Sequence, residues 1–319
     1  MEIVGIGNAL MDVIAFVDED FAPSRGFHNN ATVHLDRARL DAVLAGLPEA
    51  VFAAGGGAAN TVRAAALLGL KASFSGSVGE DELGLRYRGE LEAAGVEPLL
   101  SASPAPTGVY CALVRPDGGR SLLVAPSAAL DLVLEPPPQA MFKAGAILYL
   151  EGFLLRDRAF FMACLEGGRR AGMRIALDLG SFSLVRAQRD FLLELLPDYV
   201  DYLFANEDEF SALAELPFGE AVELLADAGP ALVVKLAERG AVYARGGERI
   251  ESPVRALRPV DETGAGDAFA AGFLAGIARG YAPERCLRLG NRIAEEVLGV
   301  PGLAVDSERL KAAWESVSA

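Results

Sequence analysis

Cysteine is scarce in this chain, with three in 319 residues. Cys111, Cys164 and Cys286 lie far apart and form no CxxC pair, so neither a disulfide framework nor a thiolate zinc site has support, and reduced thiols of a cytoplasmic protein are expected. Positive charge is also short: 29 Lys and Arg stand against 44 Asp and Glu, a formal net charge of -15. A nucleic-acid groove or an anionic membrane surface needs a basic footprint, so neither partner is expected. No apolar run reaches about 18 residues without an interrupting Arg, Asp, Asn or Gly, and the opening MEIVGIGNALMD has no basic leader before its strand-like pattern. No membrane span and no export signal are therefore expected. Internal repeats and low-complexity segments are missing, as are GxxxxGK[ST] and an HRD/DFG pair, which sets aside P-loop and protein-kinase machinery.

What is present is a core-forming chain, 52% hydrophobic and 23% charged, long enough to bury one large core. Short apolar or β-branched runs at Ile3 to Ile6, Ala146 to Leu150, Arg174 to Leu177, Tyr202 to Phe204 and Ala231 to Lys235 alternate with stretches of helical period. The latter include Asn60 to Leu68, Asp157 to Ala171, Glu207 to Leu213 and Ala268 to Ala278. The alternation predicts an α/β fold, a doubly wound and mostly parallel sheet flanked by helices, in a single domain over residues 1–319. Two segments break the rhythm, about 13–35 and about 98–124, and read as a small β lid. In the second, YCALVRPDGGRSLLV predicts two strands joined at Asp117-Gly118-Gly119. The Pro-rich Glu135 to Gln139 is a loop before a helix, not a domain linker.

The strongest chemical pattern is VDETGAGDAFAAGFLAGIARG, in which Gly264, Ala265 and Gly266 precede Asp267 at the opening of an amphipathic helix. Small residues let the backbone approach a phosphate, and first-turn N–H groups with the helix dipole stabilise charge developing there. An Asp of ordinary pKa, about 4, is a weak base, yet phosphoryl transfer tolerates one because the hydroxyl proton becomes acidic late. Taken by itself, Asp267 equally fits a helix cap. The segment resembles the DTxGAGD signature of the PfkB (ribokinase-like) carbohydrate and nucleoside kinase family, and the resemblance implies that Asp267 is the catalytic base. Glu262 departs from the family's usual Thr and puts an acidic side chain near the phosphates.

Other segments follow the family in its order. AAGGGAANTVRAAALLG, with Gly55, Gly56, Gly57 and Asn60, resembles the first signature; the glycines allow close backbone approach, and Asn60 can donate to and accept from a sugar hydroxyl. GSVGEDELG resembles a passage read as structural. VGIGNALMD places Asn8 and Asp12 after the first strand, where open α/β sheets present ligand-binding groups, and a carboxylate such as Asp12 suits a vicinal diol. Its spacing resembles bacterial adenosine-kinase-like members. Arg120 in the RSL segment fits either a donor to the transferring phosphoryl or a solvated hairpin residue, and Glu151 in LYLEGFLL matches a family position near the substrate.

Asn206 and Glu209 reproduce the family's NxxE motif, which implies ordering of Mg2+ and phosphates through water; ordinary capping explains the same residues, and both readings can hold. VVKLAERGAVY resembles the strand-turn-strand beside the nucleotide, with Lys235 and Gly240 in place and Ala237 instead of the usual Gly. Lys235 is one of four lysines and fits either a phosphate contact or a solvated strand end. Asp261 and Thr263 are candidate partners of a monovalent cation, flanked by GNRIAEEVLGVPG.

The combined expectation is an ATP- and Mg2+-dependent kinase acting on the hydroxymethyl group of a nucleoside, adenosine first, or of a sugar such as ribose or fructose, as a monomer or homodimer. An NAD-dependent oxidoreductase fails on detail: Gly5 and Gly7 follow a strand, but Leu10 holds the third glycine position and a β-like run replaces the helix. A binding module without catalysis is the third class, kept open by Glu262 and Ala237.

Overall fold

Along the strand Ile147–Glu151 the side chains alternate between two cores: Ile147 and Tyr149 enter one, Leu148 and Leu150 the other. This period of two, repeated in neighbouring strands, requires cover on both sheet faces. A computed structural model describes residues 2–28, 32–117, 119–254, 262–299 and 307–318. Its central sheet has nine strands in the order Glu248–Ser252, Ala241–Arg245, Ala231–Lys235, Tyr202–Asn206, Arg174–Asp178, Ile147–Glu151, Glu2–Ile6, Lys71–Ser75 and Val96–Pro98. Every neighbouring pair is parallel except the two at the Glu248–Ser252 end.

Helices Gly57–Leu67, Ala265–Ala278 and Pro283–Leu298 cover one face; Arg158–Arg170, Phe182–Tyr199, Glu207–Ala214 and Phe218–Ala226 cover the other. The doubly wound α/β reading therefore holds. Phe273 anchors the Ala265–Ala278 helix, meeting Phe204 edge-on at 5.6 Å and stacking near Phe269 and Tyr243. A wholly buried side chain of this kind contributes about 3 kcal/mol. Gly272 lets the next helix approach so closely that a Cβ there would lie 2.9 Å from the Leu289 carbonyl oxygen. These contacts fix the helix whose first turn carries Asp267.

A second, five-stranded sheet runs Thr32–His34, Arg120–Ala125, Gly108–Val114, Leu10–Phe16 and Val51–Gly55. The segments 13–35 and 98–124 supply most of it, but Val51–Gly55 also joins. Val96–Pro98 instead ends the central sheet, and Ser101–Ser103 pairs with Ser77–Gly79. The expected hairpin forms between Gly108–Val114 and Arg120–Ala125, with the Asp117 carboxylate accepting from Gly119 N–H at 2.8 Å; Gly118 lies outside the described residues. The Pro-rich loop leads into a single 3-10 turn, Gln139–Met141.

Burial pushes the thiols of Cys111, Cys164 and Cys286 up to about 12, and all three are free. Among the described residues no helix is long and apolar enough to cross a membrane.

Ala237, at the start of the turn Ala237–Arg239, has φ +50°. A Cβ in the left-handed region costs about 1–2 kcal/mol, part of which a glycine returns through its freer unfolded chain. Ala237→Gly is therefore expected to stabilise the protein by about 1 kcal/mol, read as a higher urea midpoint at unchanged slope.

Candidate active site

Parallel strands aim their carboxyl ends at one edge, and here that edge carries Glu151, Asp178, Asn206 and Lys235 on four adjacent strands. Glu151 pairs in register with Asp178, and Asn206 with Lys235. The Gly57–Leu67 and Ala265–Ala278 helices bring their first turns to the same edge. Two cavities meet there and share Lys235. The larger, about 450 Å³, is lined by Ala237, Val254, Ala265, Gly266, Phe269, Asn291 and Leu298 among others, with Gly240 and Glu262 on its wall. The smaller, about 200 Å³, is lined by Gly57, Tyr149, Glu151, Phe153, Asp178, Gly180, Glu209 and Asp267.

Asp267 does not open its helix. The helix begins at Ala265, with Gly264 as its cap at φ +75°, a value that favours glycine. No capping bond comes from Gly264, and Asp267, in the first turn, spends its carboxylate elsewhere: Oδ2 accepts from Asn60 Nδ2 at 3.0 Å. Thr61 Oγ1 donates to the Asp267 carbonyl at 3.3 Å. Burial pushes the Asp267 carboxyl up to about 7; the Asn60 bond and Lys235 oppose this, while Asp178 and Glu151 add to it. The ordinary carboxyl expected from sequence is thereby corrected to one raised toward neutrality by burial.

Glu151 is 4% exposed and accepts from two backbone donors, Asn8 N–H at 2.7 Å and Ala58 N–H at 3.2 Å. Burial pushes it up to about 7 despite those bonds and the nearby Arg156. It thus braces the Gly-rich turn against the end of the first strand. Gly57 stands between the two acids: a Cβ there would be 3.4 Å from Asp267 Oδ1 and 3.6 Å from Glu151 Oε2. Gly56 has φ +97°, and a Cβ would fall 2.1 Å from the Asn8 carbonyl oxygen.

Lys235 Nζ bonds Asp178 Oδ2 at 2.8 Å, and Tyr149 OH donates to the same oxygen at 3.1 Å. Burial works against the ammonium, but Asp178, Glu209 and Asp267 outweigh it and hold Lys235 above its ordinary range. Asn206 and Glu209 form a reciprocal capping box, Asn206 N–H to Glu209 Oε2 at 2.9 Å and Glu209 N–H to Asn206 Oδ1 at 2.8 Å. Burial first, then Asp178, raises the Glu209 carboxyl.

The structure thus brings together Gly56, Gly57, Asn60, Glu151, Glu209, Lys235, Gly240, Gly264, Ala265, Gly266 and Asp267. Asn8 joins through its backbone, while its side-chain oxygen accepts from Arg156 Nη1 at 2.9 Å. Asp12 lies on the second sheet with its carboxylate against Gly55, where a Cβ would fall 2.1 Å away. Thr263 sits in the turn before Gly264, and Asp261 and the VPG end of the last motif lie outside the described residues. Arg120 begins its strand in the second sheet opposite Val114 and is not among the residues lining either cavity. Asp178, Tyr149 and Arg156 escaped the sequence reading. Asp178 had a usable signal, since RIALD ends a strand in an acid as LYLE does.

Comparison with known proteins follows the same lines. The chain is 26% identical to adenosine kinase of Saccharomyces cerevisiae, over 97% of this chain and 98% of the relative. To adenosine kinase 1 of Arabidopsis thaliana it is 28% identical, over 90% and 91%. The backbone matches the crystal structure of adenosine kinase from Sinorhizobium meliloti at TM-score 0.89, with 32% identity and 99% of both chains covered. A probable sugar kinase from Rhizobium etli also reaches 0.89, at 29% identity over 99% and 98%. Adenosine kinase of Anopheles gambiae, in complex with P1,P4-di(adenosine-5) tetraphosphate, gives 0.81 at 26% identity over 94% and 96%. The pfkB family carbohydrate kinase pattern matches residues 2–309, nearly the whole chain, and this protein belongs to that family.

Proposed function

We propose that this kinase transfers the γ-phosphoryl group of ATP to the 5′-hydroxyl of adenosine, with Asp267 as the base. The observation that carries the reading is the junction of two cavities at Lys235 and the Gly264–Asp267 turn. The larger, with Phe269, Val254 and Leu298 on its walls, suits an adenine ring, and its Gly266 end suits the phosphates. The smaller suits the acceptor, whose hydroxyl would lie between Asp267 and Gly57.

In that arrangement the acceptor oxygen bonds to the γ-phosphorus as the bond to the β–γ bridging oxygen breaks, and Asp267 takes the hydroxyl proton. The N–H groups of Ala265 and Gly266, with the helix dipole, stabilise charge on the transferring group. Lys235 lies where bridging oxygens would pass. The adenosine kinases among the relatives support adenosine as acceptor.

For Mg2+ the donors are hard oxygens, as the ion requires. Among the described residues no three His, Cys, Asp or Glu side chains form a direct ligand cluster. Glu209 already spends Oε2 on Asn206 N–H, so it and Asp178 fit a role through water. Magnesium held there would neutralise phosphate charge. The enzyme is read as cytoplasmic, in keeping with its thiols.

The test is a panel of adenosine, inosine, cytidine, ribose and fructose with Mg-ATP, following ADP formation. Adenosine is expected to give the highest kcat/KM by at least about tenfold, as a site that hydrogen-bonds one base discriminates against others. Preferred turnover of ribose or fructose would overturn the nucleoside assignment and leave the kinase chemistry standing.

A further inference from the structure

On the Gly57–Leu67 helix, Asn60, Arg63, Ala64 and Leu67 recur at i, i+3, i+4 and i+7 and form one stripe. The stripe faces a cavity of about 30 Å³ whose opposite wall is Ile293 and Val297 of the Pro283–Leu298 helix and Leu310 of the Ser307–Ser318 helix. Two buried atoms of the stripe, Asn60 Oδ1 and Arg63 Nε, have no hydrogen-bond partner among the described residues. Other groups of the same two side chains are engaged. Asn60, 5% exposed, donates Nδ2 to Asp267, and Arg63 Nη1 donates to the carbonyl of Ala54.

One of the two atoms accepts and the other donates, which selects the chemistry of an occupant. A cation would be repelled by the guanidinium, an anion by the amide oxygen, and an apolar group would leave both atoms unsatisfied. Water both donates and accepts, and the cavity has room for one molecule.

We propose that a single ordered water accepts from Arg63 Nε–H and donates to Asn60 Oδ1, making Arg63 a positioning residue for Asp267. The inference rests on Asp267 being the base. With Oδ1 held by water, the NH2 of Asn60 faces the carboxylate; a flipped amide would set oxygen against oxygen. Because Arg63 also holds Ala54, near the end of Val51–Gly55, one guanidinium ties the second sheet to the catalytic carboxylate.

Arg63→Lys isolates the effect, since it keeps the charge and a terminal donor for Ala54 but puts a methylene where Nε–H stands. A loss in kcat/KM of about three- to tenfold is expected, the worth of one water-mediated bond, with the acid limb of the pH profile moved upward and Tm nearly unchanged. Ala64→Val, which fills the cavity while leaving Arg63 intact, is expected to shift the profile the same way. Lys235, Asp178 and Glu151, the charged groups facing Asp267, are untouched in both variants. A high-resolution crystal structure of the parent is expected to show the water between the two atoms. Its absence, or a pH profile unmoved in both variants, would overturn the proposal. Full turnover by Asp267→Asn would sink the base assignment instead, a separate failure because the water in the parent does not depend on it.

Discussion

Asp267→Asn is expected to lower kcat with Mg-ATP and adenosine by about 10³-fold while leaving the binding of each substrate, read by calorimetry, within roughly threefold. General base catalysis is worth about 10²–10⁴, and an amide keeps the shape of the carboxylate while losing its basicity. Since burial holds the parent carboxyl at about 7, kcat/KM should rise between pH 6 and pH 8 and level off above. A profile already flat from pH 5 would exclude Asp267 at this position as the group that must ionise.

The same shift fixes the sign of a stability effect. A carboxyl whose folded pKa lies above its unfolded value binds its proton more tightly in the folded state. Its contribution is full below about pH 4 and is lost as pH rises through about 7. Asp267→Asn is accordingly expected to be more stable than the parent at pH 8 by at least about 2 kcal/mol, with the gap more than halved at pH 5. Urea melts at the two pH values measure it, and equal differences at both would show that the carboxyl is not displaced from its ordinary range.

Lys235→Met carries the second large effect. The ammonium is partnered to Asp178 at 2.8 Å and is felt by Asp178, Glu209 and Asp267 together. Removing one partner of a mostly buried pair leaves the other uncompensated, a loss of about 3 kcal/mol at pH 8. At pH 5.5 the loss shrinks, because the raised carboxyls of Glu209 and Asp267 take up protons and the repulsion falls. Activity is expected to drop by at least about 100-fold, with the acid limb moved up, since Lys235 is one of the groups holding Asp267 down. Unchanged stability at pH 8 would mean that the carboxylates find water as good a partner as the ammonium.

Legibility from sequence followed the range of the interactions. The doubly wound sheet was readable because buried parallel strands and amphipathic helices write their period locally, as in Ile147–Glu151 and Ala265–Ala278. The Gly264–Asp267 turn and the Asn206–Glu209 box were readable for the same reason, each within a few consecutive residues. The strand Val51–Gly55 was missed because its place beside Leu10–Phe16 depends on pairing across some 40 residues. Asp178 and Arg156 were missed because their roles arise only when distant segments meet: Asp178 with Lys235, and Arg156 with Asn8. Asn60 shows the limit most sharply. The sequence offers its amide to a sugar hydroxyl, and the fold adds what no local pattern shows, a bond from its Nδ2 to the carboxylate of Asp267, 207 residues away.

The two ends of the long sheet bear on how the folded chain behaves in a crowd. One end is Val96–Pro98, three residues closed by a proline that has no N–H to offer; the other, Glu248–Ser252, exposes Glu248, Arg249 and Glu251. Neither offers a long, flat, apolar row on which a neighbouring molecule could continue the ladder. With a formal net charge of -15 also keeping copies apart, the rims of the nine-stranded sheet give a second copy little on which to extend it.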